Sequence, residues 1–181
     1  IVMGNLEKGY TQIYTGNGKG KTTAAMGLGF RACGDGMIVH VVQFLKSFNT
    51  GELNSAKILG ENFKIYRFET PKGFTWQLSD EEKKLLQEEI KKEYDFAMEE
   101  LLGRRCDVLI LDEIMGVLNA GFIKEEDVLR LMDLKPSDME LILTGRNVPE
   151  KILEKADLVT EMKEIKHYYK QGVNARKGIE F

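Results

Sequence analysis

Short runs of apolar residues alternate along the chain with longer segments in which apolar residues recur at helical spacing. Each run is flanked by polar residues or glycine, a pattern typical of strands that are buried in a parallel sheet. The runs predict six strands, at residues 10–15, 37–43, 63–68, 106–111, 139–143 and 157–162.

The segments between these runs predict helices at residues 21–33, 79–102, 114–119, 124–132 and 149–155. The second of these is the clearest, because Ser79 and Glu82 have the spacing of a capping box at a helix start. One face of it is predicted to be buried, since apolar residues recur there at helical spacing: Leu86, Ile90, Tyr94, Ala97 and Leu101.

Regular alternation of strand and helix indicates an α/β fold. The sequence predicts a mostly parallel central sheet with helices on both faces, joined by right-handed crossovers. In such sheets ligands gather at the carboxyl ends of the strands. No repeat, low-complexity tract or linker interrupts residues 1–181, so we expect a single domain.

Composition, charge and the length of the apolar runs argue against some classes of protein. The chain is 43% hydrophobic and 30% charged, as in soluble globular proteins. A net charge of −3 and a pI of about 5.6 argue against a nucleic-acid groove. No apolar run approaches the roughly 18 residues that span a bilayer, and residues 1–9 contain no signal-peptide core. We therefore expect a cytoplasmic protein without a nucleic-acid or membrane partner.

The cysteines and histidines give no sign of a disulfide or a zinc site. Cys33 and Cys106 are far apart and form no CxxC pair, so we interpret both as small buried hydrophobes. His40 falls within a predicted strand and His167 on a predicted turn. Neither histidine belongs to a Cys/His cluster with the spacing of a metal site.

Residues 15–23, TGNGKGKTT, join the first strand to the first helix and have the character of a phosphate-binding loop. Glycines allow backbone N–H groups to point at phosphate oxygens, and the helix N-terminus adds its dipole. Lys21 is expected to reach the phosphates, and the Thr22 hydroxyl is expected to bind Mg²⁺. The competing interpretation is a glycine-rich turn before a helix. The loop predicts a three-layer P-loop NTPase-like fold.

The loop departs from the strict pattern G-x₄-G-K-[ST]. Counting back from Gly20 places Thr15 where the first glycine belongs, and Gly16 comes one residue late. The loop is in effect one residue shorter. We expect this to shift the register or the direction in which the phosphates lie.

Two carboxylates, Asp112 and Glu113, end an apolar predicted strand. In P-loop proteins acidic residues at this position face Mg²⁺ directly or through water. Asp112 precedes a predicted helix, so it is alternatively a helix N-cap, and one residue can serve both roles. The sequence leaves open which carboxylate binds the metal directly.

Three further features have two interpretations each. Arg146 follows the strand at 139–143, so it either neutralises phosphate charge or is a solvated loop arginine. Phe74 and Trp76 lie in a loop between a strand and a helix, where they either cover the core or offer a stacking surface to a flat ligand. Residues 166–181 are punctuated by glycine and are expected to form ordered coil lying across another part of the molecule.

Taken in order, these segments resemble the P-loop type of ATP:corrinoid adenosyltransferase, the enzyme that makes adenosylcobalamin. The resemblance extends over residues 9–181. It rests on YTGNGKGKTTAAMG, RACGDG, VVQFLK, GFTW, LILDE, LTGR and KH…GVNARKGIEF. The short loop followed by GFTW is the most specific part, because a P-loop alone indicates only a superfamily.

The resemblance implies a transferase in which cobalt(I) of a corrinoid attacks the 5′ carbon of ATP and triphosphate leaves. It implies catalytic roles for Lys21, Thr22 and Glu113, with Mg²⁺ held by Thr22 and by Asp112 or Glu113. It also implies that ATP lies in the reverse of the usual direction. The residues expected to bind the nucleotide are Gly16, Asn17, Gly18, Lys19, Gly20, Lys21, Thr22, Thr23, Arg31 and Arg146.

The resemblance also assigns a role to Phe74 and Trp76. They match an aromatic pair that crowds the lower face of the corrin, which removes the lower ligand and makes cobalt(II) four-coordinate and easier to reduce. The implied partners are ATP, cobalamin or another corrinoid, a flavoprotein reductant and a second copy of the chain in a homodimer.

Two departures from the family pattern stand out. Ser47 replaces a glycine in QFLKS, and only about nine residues precede the first predicted strand, where family members often have a helix. We expect the corrin pocket either to be more open or to be closed by the C-terminal tail.

Other functions remain open on the sequence. A RecA-like ATPase would need a water-activating carboxylate, for which Glu113 is the obvious candidate. A small-molecule kinase would need an arginine-rich lid, yet the region after the fifth strand offers only Arg146 and Arg176. The last alternative is a nucleotide-binding module without catalysis.

Overall fold

The computed structural model describes residues 6–181. The strands are β1 (Thr11–Thr15), β2 (Val39–Gln43), β3 (Phe63–Tyr66), β4 (Val108–Asp112), β5 (Glu140–Thr144) and β6 (Leu158–Glu161). The α-helices are α1 (Lys21–Gly34), α2 (Gly51–Leu59), α3 (Asp80–Leu102), α4 (Ile114–Asn119), α5 (Glu125–Leu134) and α6 (Glu150–Lys155). Short 3₁₀ helices cover Gly60–Asn62, Thr75–Gln77 and Tyr168–Gln171.

The strands form one six-stranded sheet in the order β3-β2-β4-β5-β1-β6. Every strand pairing within residues 6–181 is parallel. β1 and β4 therefore end at the same edge, two strands apart, and the loops that follow them meet there. The predicted α/β fold with a parallel sheet is confirmed.

Helices cover both faces of the sheet because successive strand residues point to opposite sides. In β4, Leu109 and Leu111 pack in a core with α3, α4, α5 and α6. Val108 and Ile110 pack in a second core with α1 and α2. α1 can lie close to the sheet because Gly29 has no side chain: a Cβ there would lie 2.9 Å from the Phe63 ring. The three layers follow from this alternation.

α3 begins where the capping box predicted. The Ser79 N–H donates to Glu82 Oε2 (2.7 Å), and the Glu82 N–H donates to Ser79 Oγ (3.2 Å). The predicted apolar face is buried at four of its five positions, while Tyr94 is partly buried and donates from its hydroxyl to the Asp127 carbonyl (2.9 Å). The buried positions are Leu86, Ile90, Ala97 and Leu101.

Two features were not predicted. α2 was missed because its sequence, GELNSAKIL, lacks a strong apolar stripe and buries only Ala56. The face of α3 that packs inward also buries three glutamates, Glu89, Glu93 and Glu100, which a hydrophobic pattern does not reveal.

None of the helices formed by residues 6–181 is long and apolar enough to cross a membrane. The prediction about a signal-peptide core in residues 1–9 falls partly on residues 1–5, which lie outside the described residues.

Candidate active site

The loop between β1 and α1 is held by its backbone. Gly16 and Gly20 adopt positive φ angles of 104° and 125°, a region that side chains disfavour. The Gly18 N–H donates to the Met162 carbonyl (2.7 Å), just after β6. A Cβ on Gly16 or Gly18 would lie 2.3 or 2.7 Å from that oxygen. Glycine is therefore required both for the turn and for this close contact.

Lys21, the first residue of α1, folds back over the loop. Its Nζ donates to the carbonyls of Gly16 (2.9 Å) and Gly18 (2.8 Å). Burial lowers the pKa of Lys21, as does the nearby charge of Arg146, while Glu113 and Asp112 act in the opposite direction. The ammonium group therefore lies at the centre of the loop, at a helix N-terminus, where phosphate oxygens would be bound.

Asp112, the last residue of β4, is fully buried and surrounded by polar partners. Its Oδ1 accepts hydrogen bonds from the hydroxyls of Thr22 (2.8 Å) and Thr144 (2.7 Å). Its Oδ2 accepts from Gln43 Nε2 (3.1 Å) and Lys46 Nζ (3.4 Å). The alternative of Asp112 as a helix N-cap is wrong, because the N-cap of α4 is Glu113 and no side chain caps that helix.

The oxygen donors beside the loop fit a Mg²⁺ ion. Thr22 uses its hydrogen to reach Asp112, which leaves the lone pairs of its oxygen free for a cation. Mg²⁺ prefers such hydroxyl and carboxylate oxygens together with phosphate and water.

Glu113 has a left-handed backbone with a φ of 63°, which is unusual for a residue other than glycine. Its N–H donates to the Thr144 hydroxyl (2.8 Å), so Thr144 ties both carboxylate residues to the end of β5. Burial and the charge of Asp112 raise the pKa of Glu113, while Lys21, Lys46 and Arg146 lower it. This strained turn directs Glu113 away from the position of Asp112 and into a neighbouring cavity.

The first cavity, the phosphate cavity, has a volume of about 360 Å³ and lies over the N-terminus of α1. One side is formed by the C-terminal tail, where the Ile179 carbonyl accepts a hydrogen bond from Lys19 Nζ (3.2 Å). The tail thus lies across the phosphate-binding loop. The lining residues are 19–23, Met26, Lys46, Gly51, Glu52 and 178–181.

The second cavity, the aromatic cavity, has a volume of about 570 Å³ and is mainly apolar. Phe74 and Trp76 stack in parallel with ring centroids 4.6 Å apart and an interplanar angle of 5°. They are 62% and 74% exposed, so the interpretation of Trp76 as a cover over the core is wrong. Glu113 and Lys46 also line this cavity. Because Lys46 lines both cavities, the two adjoin.

The structure brings half of the ten predicted nucleotide residues into the lining of one cavity. Lys19, Gly20, Lys21, Thr22 and Thr23 line the phosphate cavity. The Asn17 Oδ1 instead accepts from the Glu164 N–H (3.2 Å).

The two predicted arginines differ in their positions. Arg146 is close enough for its charge to affect Lys21 and Glu113. Arg31 lies in the last turn of α1, ten residues or about 15 Å along the helix from Lys21. It does not line the phosphate cavity.

Sequence reasoning missed several polar residues of the site. Gln43 is the last residue of β2 and Lys46 follows it closely, and both donate hydrogen bonds to Asp112. Glu52, in the unpredicted α2, accepts from both of them (3.3 Å each) and lines the phosphate cavity. Gln43 and Lys46 could have been predicted from the sequence, because polar residues at the carboxyl end of a strand reach the ligand edge of a parallel sheet.

Three side chains with potential metal-ligand atoms meet in the structure although they are distant in the sequence. His40, Glu100 and Cys106 are all buried, and their potential ligand atoms lie within 4.8 Å of one another. His40 Nδ1 hydrogen-bonds to Glu100 Oε2, and burial raises the pKa of the Cys106 thiol. Sequence spacing could not show this cluster because its members come from β2, α3 and the segment before β4.

Relatives with similar sequences identify the class of protein. The chain is 39% identical to a corrinoid adenosyltransferase of Sinorhizobium sp, over 97% of this chain and 81% of the relative. It is 35% identical to that of Escherichia coli, covering 97% and 87%, and 34% identical to CobA of Salmonella typhimurium, covering 100% and 90%.

A solved structure supports the fold. The flagellar accessory protein FlaH from Methanocaldococcus jannaschii matches with a TM-score of 0.54 at 16% identity, covering 86% of this chain and 72% of FlaH. The family model of the ATP:corrinoid adenosyltransferases BtuR/CobO/CobP matches residues 7–181. This chain therefore belongs to the ATP:corrinoid adenosyltransferase family.

Proposed function

We propose that the two adjoining cavities divide the substrates of the family's reaction, the transfer of the adenosyl group of ATP to the cobalt of a corrinoid. The phosphate cavity would hold the triphosphate, and the aromatic cavity would hold the corrin. The observation that carries this assignment is their junction at Lys46, which brings an ammonium- and amide-rich loop next to a stacked aromatic pair.

The reaction places two demands on the protein. Cobalt(I) donates an electron pair to C5′ of ATP, the C5′–O bond breaks, and its electrons leave with inorganic triphosphate. Cobalt(I) is itself a strong nucleophile, so no general base is needed. The protein must align the two substrates and stabilise the negative charge that grows on the leaving group.

The groups around the loop are suited to stabilising negative charge on the leaving triphosphate. The Lys21 ammonium group lies against the loop, and Lys46 and Arg146 add positive charge nearby. Mg²⁺, when bound, would supply further charge stabilisation. Thr22 with Asp112 or Glu113 would hold it. Thr22 lines the phosphate cavity and Glu113 lines the aromatic cavity, and C5′ would be attacked where the two cavities adjoin at Lys46.

The further partners are proposals of the same kind. Reduction of cobalt(II) to cobalt(I) requires an electron donor, and a flavoprotein is the proposed donor. We also propose a homodimer, in which Arg31 would be free to contact the partner's site. Cobalamin and incomplete corrinoids are both candidate substrates. The aromatic cavity offers an apolar stacking surface, and every corrin has a ring that can stack on it.

Mass spectrometry of the products from ATP and chemically reduced cobalamin tests the proposal. We expect adenosylcobalamin and inorganic triphosphate in equal amounts. Orthophosphate or ADP without an adenosylated corrinoid would refute it and would favour the RecA-like ATPase or the kinase. Omission of Mg²⁺, with EDTA present, is expected to reduce the rate strongly.

A further inference from the structure

The loop that carries Phe74 and Trp76, residues 67–78, is tied to α3 by carboxylates. The Phe68 N–H donates to Glu93 Oε1 (3.2 Å). The Thr70 N–H and hydroxyl both donate to Glu89 Oε1 (3.2 and 2.8 Å), and Lys72 forms an ion pair with Glu89 Oε2. Backbone groups that would otherwise need water are therefore bonded to one face of one helix.

The same loop is also bonded to the junction of the two cavities. Glu69 Oε1 accepts from the Leu45 N–H (2.7 Å), and Leu45 has a positive φ of 56°. Leu45 precedes Lys46, the residue that lines both cavities. Glu69 therefore connects the aromatic loop to the segment that separates the two proposed substrates.

Burial of these glutamates is costly, which argues for a role beyond packing. Glu89 is 4% exposed and Glu93 is fully buried, and they lie about one turn apart on a helix whose inward face also buries Glu100 among apolar side chains. Burying a carboxylic acid opposes folding unless hydrogen bonds compensate for the lost water. Glu93 also lies beside the Glu69 carboxyl of the loop, with which it shares a side-chain hydrogen bond. Apolar side chains would pack here at lower cost.

We infer that Glu89 and Glu93 are positioning residues that hold the aromatic loop in place as the floor of the aromatic cavity. The inference rests on the proposed function, since the cavity is taken to bind the corrin. The loop contains little that could hold it by itself: Phe74 and Trp76 are exposed, and their local support is a 3₁₀ turn with a hydrogen bond from the Gln77 N–H to the Phe74 carbonyl (2.9 Å). The ends of the loop are held by hydrogen bonds of Arg67 and by the buried Leu78, and the carboxylates of α3 restrain the part between them.

Fluorescence tests the structural half of the inference without any substrate. Trp76 is the only tryptophan of the chain, so tryptophan emission reports this loop alone. We expect Glu93→Ala to lower the emission anisotropy of Trp76, because the loop gains local motion, and Glu93→Gln to restore it, because an amide oxygen still accepts from Phe68. Glu88→Ala, at an exposed neighbouring position of α3, should leave it unchanged.

Thr70→Val is a second variant that tests the inference if Glu93→Ala does not fold. Thr70 is exposed, and the change removes only its hydroxyl bond to Glu89, so the helix and the core stay intact. A smaller fall in anisotropy is expected. Unchanged anisotropy in both folded Glu93→Ala and Thr70→Val would overturn the inference.

Kinetics test the functional half. Glu93→Ala removes one buried hydrogen-bond acceptor. We expect it to raise the corrinoid KM, or to lower the rate that starts from cobalt(II), by about tenfold. The KM for ATP should stay within about twofold, and Glu93→Gln should recover activity. Equal effects on ATP and corrinoid, or failure of Glu93→Gln to recover, would contradict a positioning role.

The outcomes separate this inference from the proposed function. If Trp76→Ala impairs corrinoid kinetics and Glu93→Ala does not, the positioning role fails while the proposed corrin site stands. If Trp76→Ala leaves corrinoid kinetics unchanged, the proposed location of the corrin fails, whatever the fluorescence of the glutamate variants shows.

Discussion

The phosphate-binding loop and the aromatic loop are held in place in different ways. The first is fixed mainly by its own backbone, through positive φ angles at Gly16 and Gly20 and the short contact of Gly18 with Met162. The second is fixed by side chains of a helix that lies 19 to 25 residues further along the chain. The first loop is held by backbone groups, and the second is held by side chains of a packed helix.

This difference has a functional consequence. The triphosphate needs a preorganised set of donors, because any reorganisation during the reaction raises the barrier. The aromatic pair needs only to present a flat, stable surface, and it can be held by a few tethers on an exposed loop. Substitutions should therefore affect the ATP half and the corrinoid half of the site separately.

The largest effect is expected from Lys21→Ala, which removes the ammonium group at the centre of the loop. We expect turnover to fall by about 100-fold or more, equally from cobalt(I) and cobalt(II), because charge on the leaving triphosphate is no longer met. Initial rates of adenosylcobalamin formation would show it. Lys57→Ala, at an exposed position of α2 that does not line the phosphate cavity, serves as the control. A Lys21→Ala variant with near-normal turnover would refute the leaving-group role.

Gly16→Ala should break the local architecture of the first loop. The new Cβ would lie 2.3 Å from the Met162 carbonyl oxygen on a backbone with a φ of 104°. We expect a loss of about 2 kcal/mol of stability and much weaker ATP binding, measured by denaturation and calorimetry. Gly27→Ala in α1 is the matched control, since a Cβ there meets nothing within 4 Å; it should stabilise the helix by up to about 1 kcal/mol.

Trp76→Ala sharpens the comparison at the second loop. Activity that starts from cobalt(II) should fall by about tenfold, because a stacking contact of this size is worth about 1 kcal/mol. Activity from chemically reduced cobalt(I) and the KM for ATP should stay near normal. Phe30→Ala, which alters another exposed aromatic, should change neither rate. Equal losses from both oxidation states would contradict the role of Trp76 beneath the corrin.

The last prediction concerns the pH dependence of stability. Burial and the neighbouring Glu69 raise the pKa of Glu93 to about 9, from an ordinary value of 4.5. A raised pKa in the folded state gives a contribution to stability that is complete below the unfolded pKa and is lost as pH rises through the folded pKa. The free energy of unfolding should therefore decline between about pH 5 and pH 9.

Glu93→Gln tests that slope. The amide does not titrate, so the variant should lose less stability than the parent protein over the same pH range, as measured by urea denaturation. Glu88→Gln, on the exposed face, should retain the parent slope. Parallel curves for Glu93→Gln and the parent would show that Glu93 is already ionised at neutral pH.

Much of the molecule follows from local patterns. The alternation of apolar runs and helical segments predicted all six strands and five of the six α-helices of residues 6–181, and the capping box at Ser79 predicted the start of α3. α2 was missed because its burial depends on one alanine. The single-domain assignment and the roles of the site residues stay predictions.

Only part of the candidate site could be predicted from the sequence. Thr22 and Asp112 were predicted as neighbours because strand ends of a parallel sheet share an edge. Lys46 was missed although it follows the end of β2, and Glu52 could not be predicted because nothing in its local sequence shows that it accepts hydrogen bonds from Gln43 and Lys46. Arg31 was assigned to the nucleotide by resemblance, yet the helix carries it away from Lys21 within this chain.

The sequence by itself determined the phosphate-binding loop, the parallel sheet and the family, because glycine spacing, strand hydrophobicity and motif order are local properties. Only the tertiary structure decided where the two cavities meet and what holds the aromatic loop. Hydrogen bonds from Phe68 and Thr70 to buried glutamates of α3 join residues that are distant in sequence. Such a glutamate has the same appearance in the sequence as the solvated ones beside it.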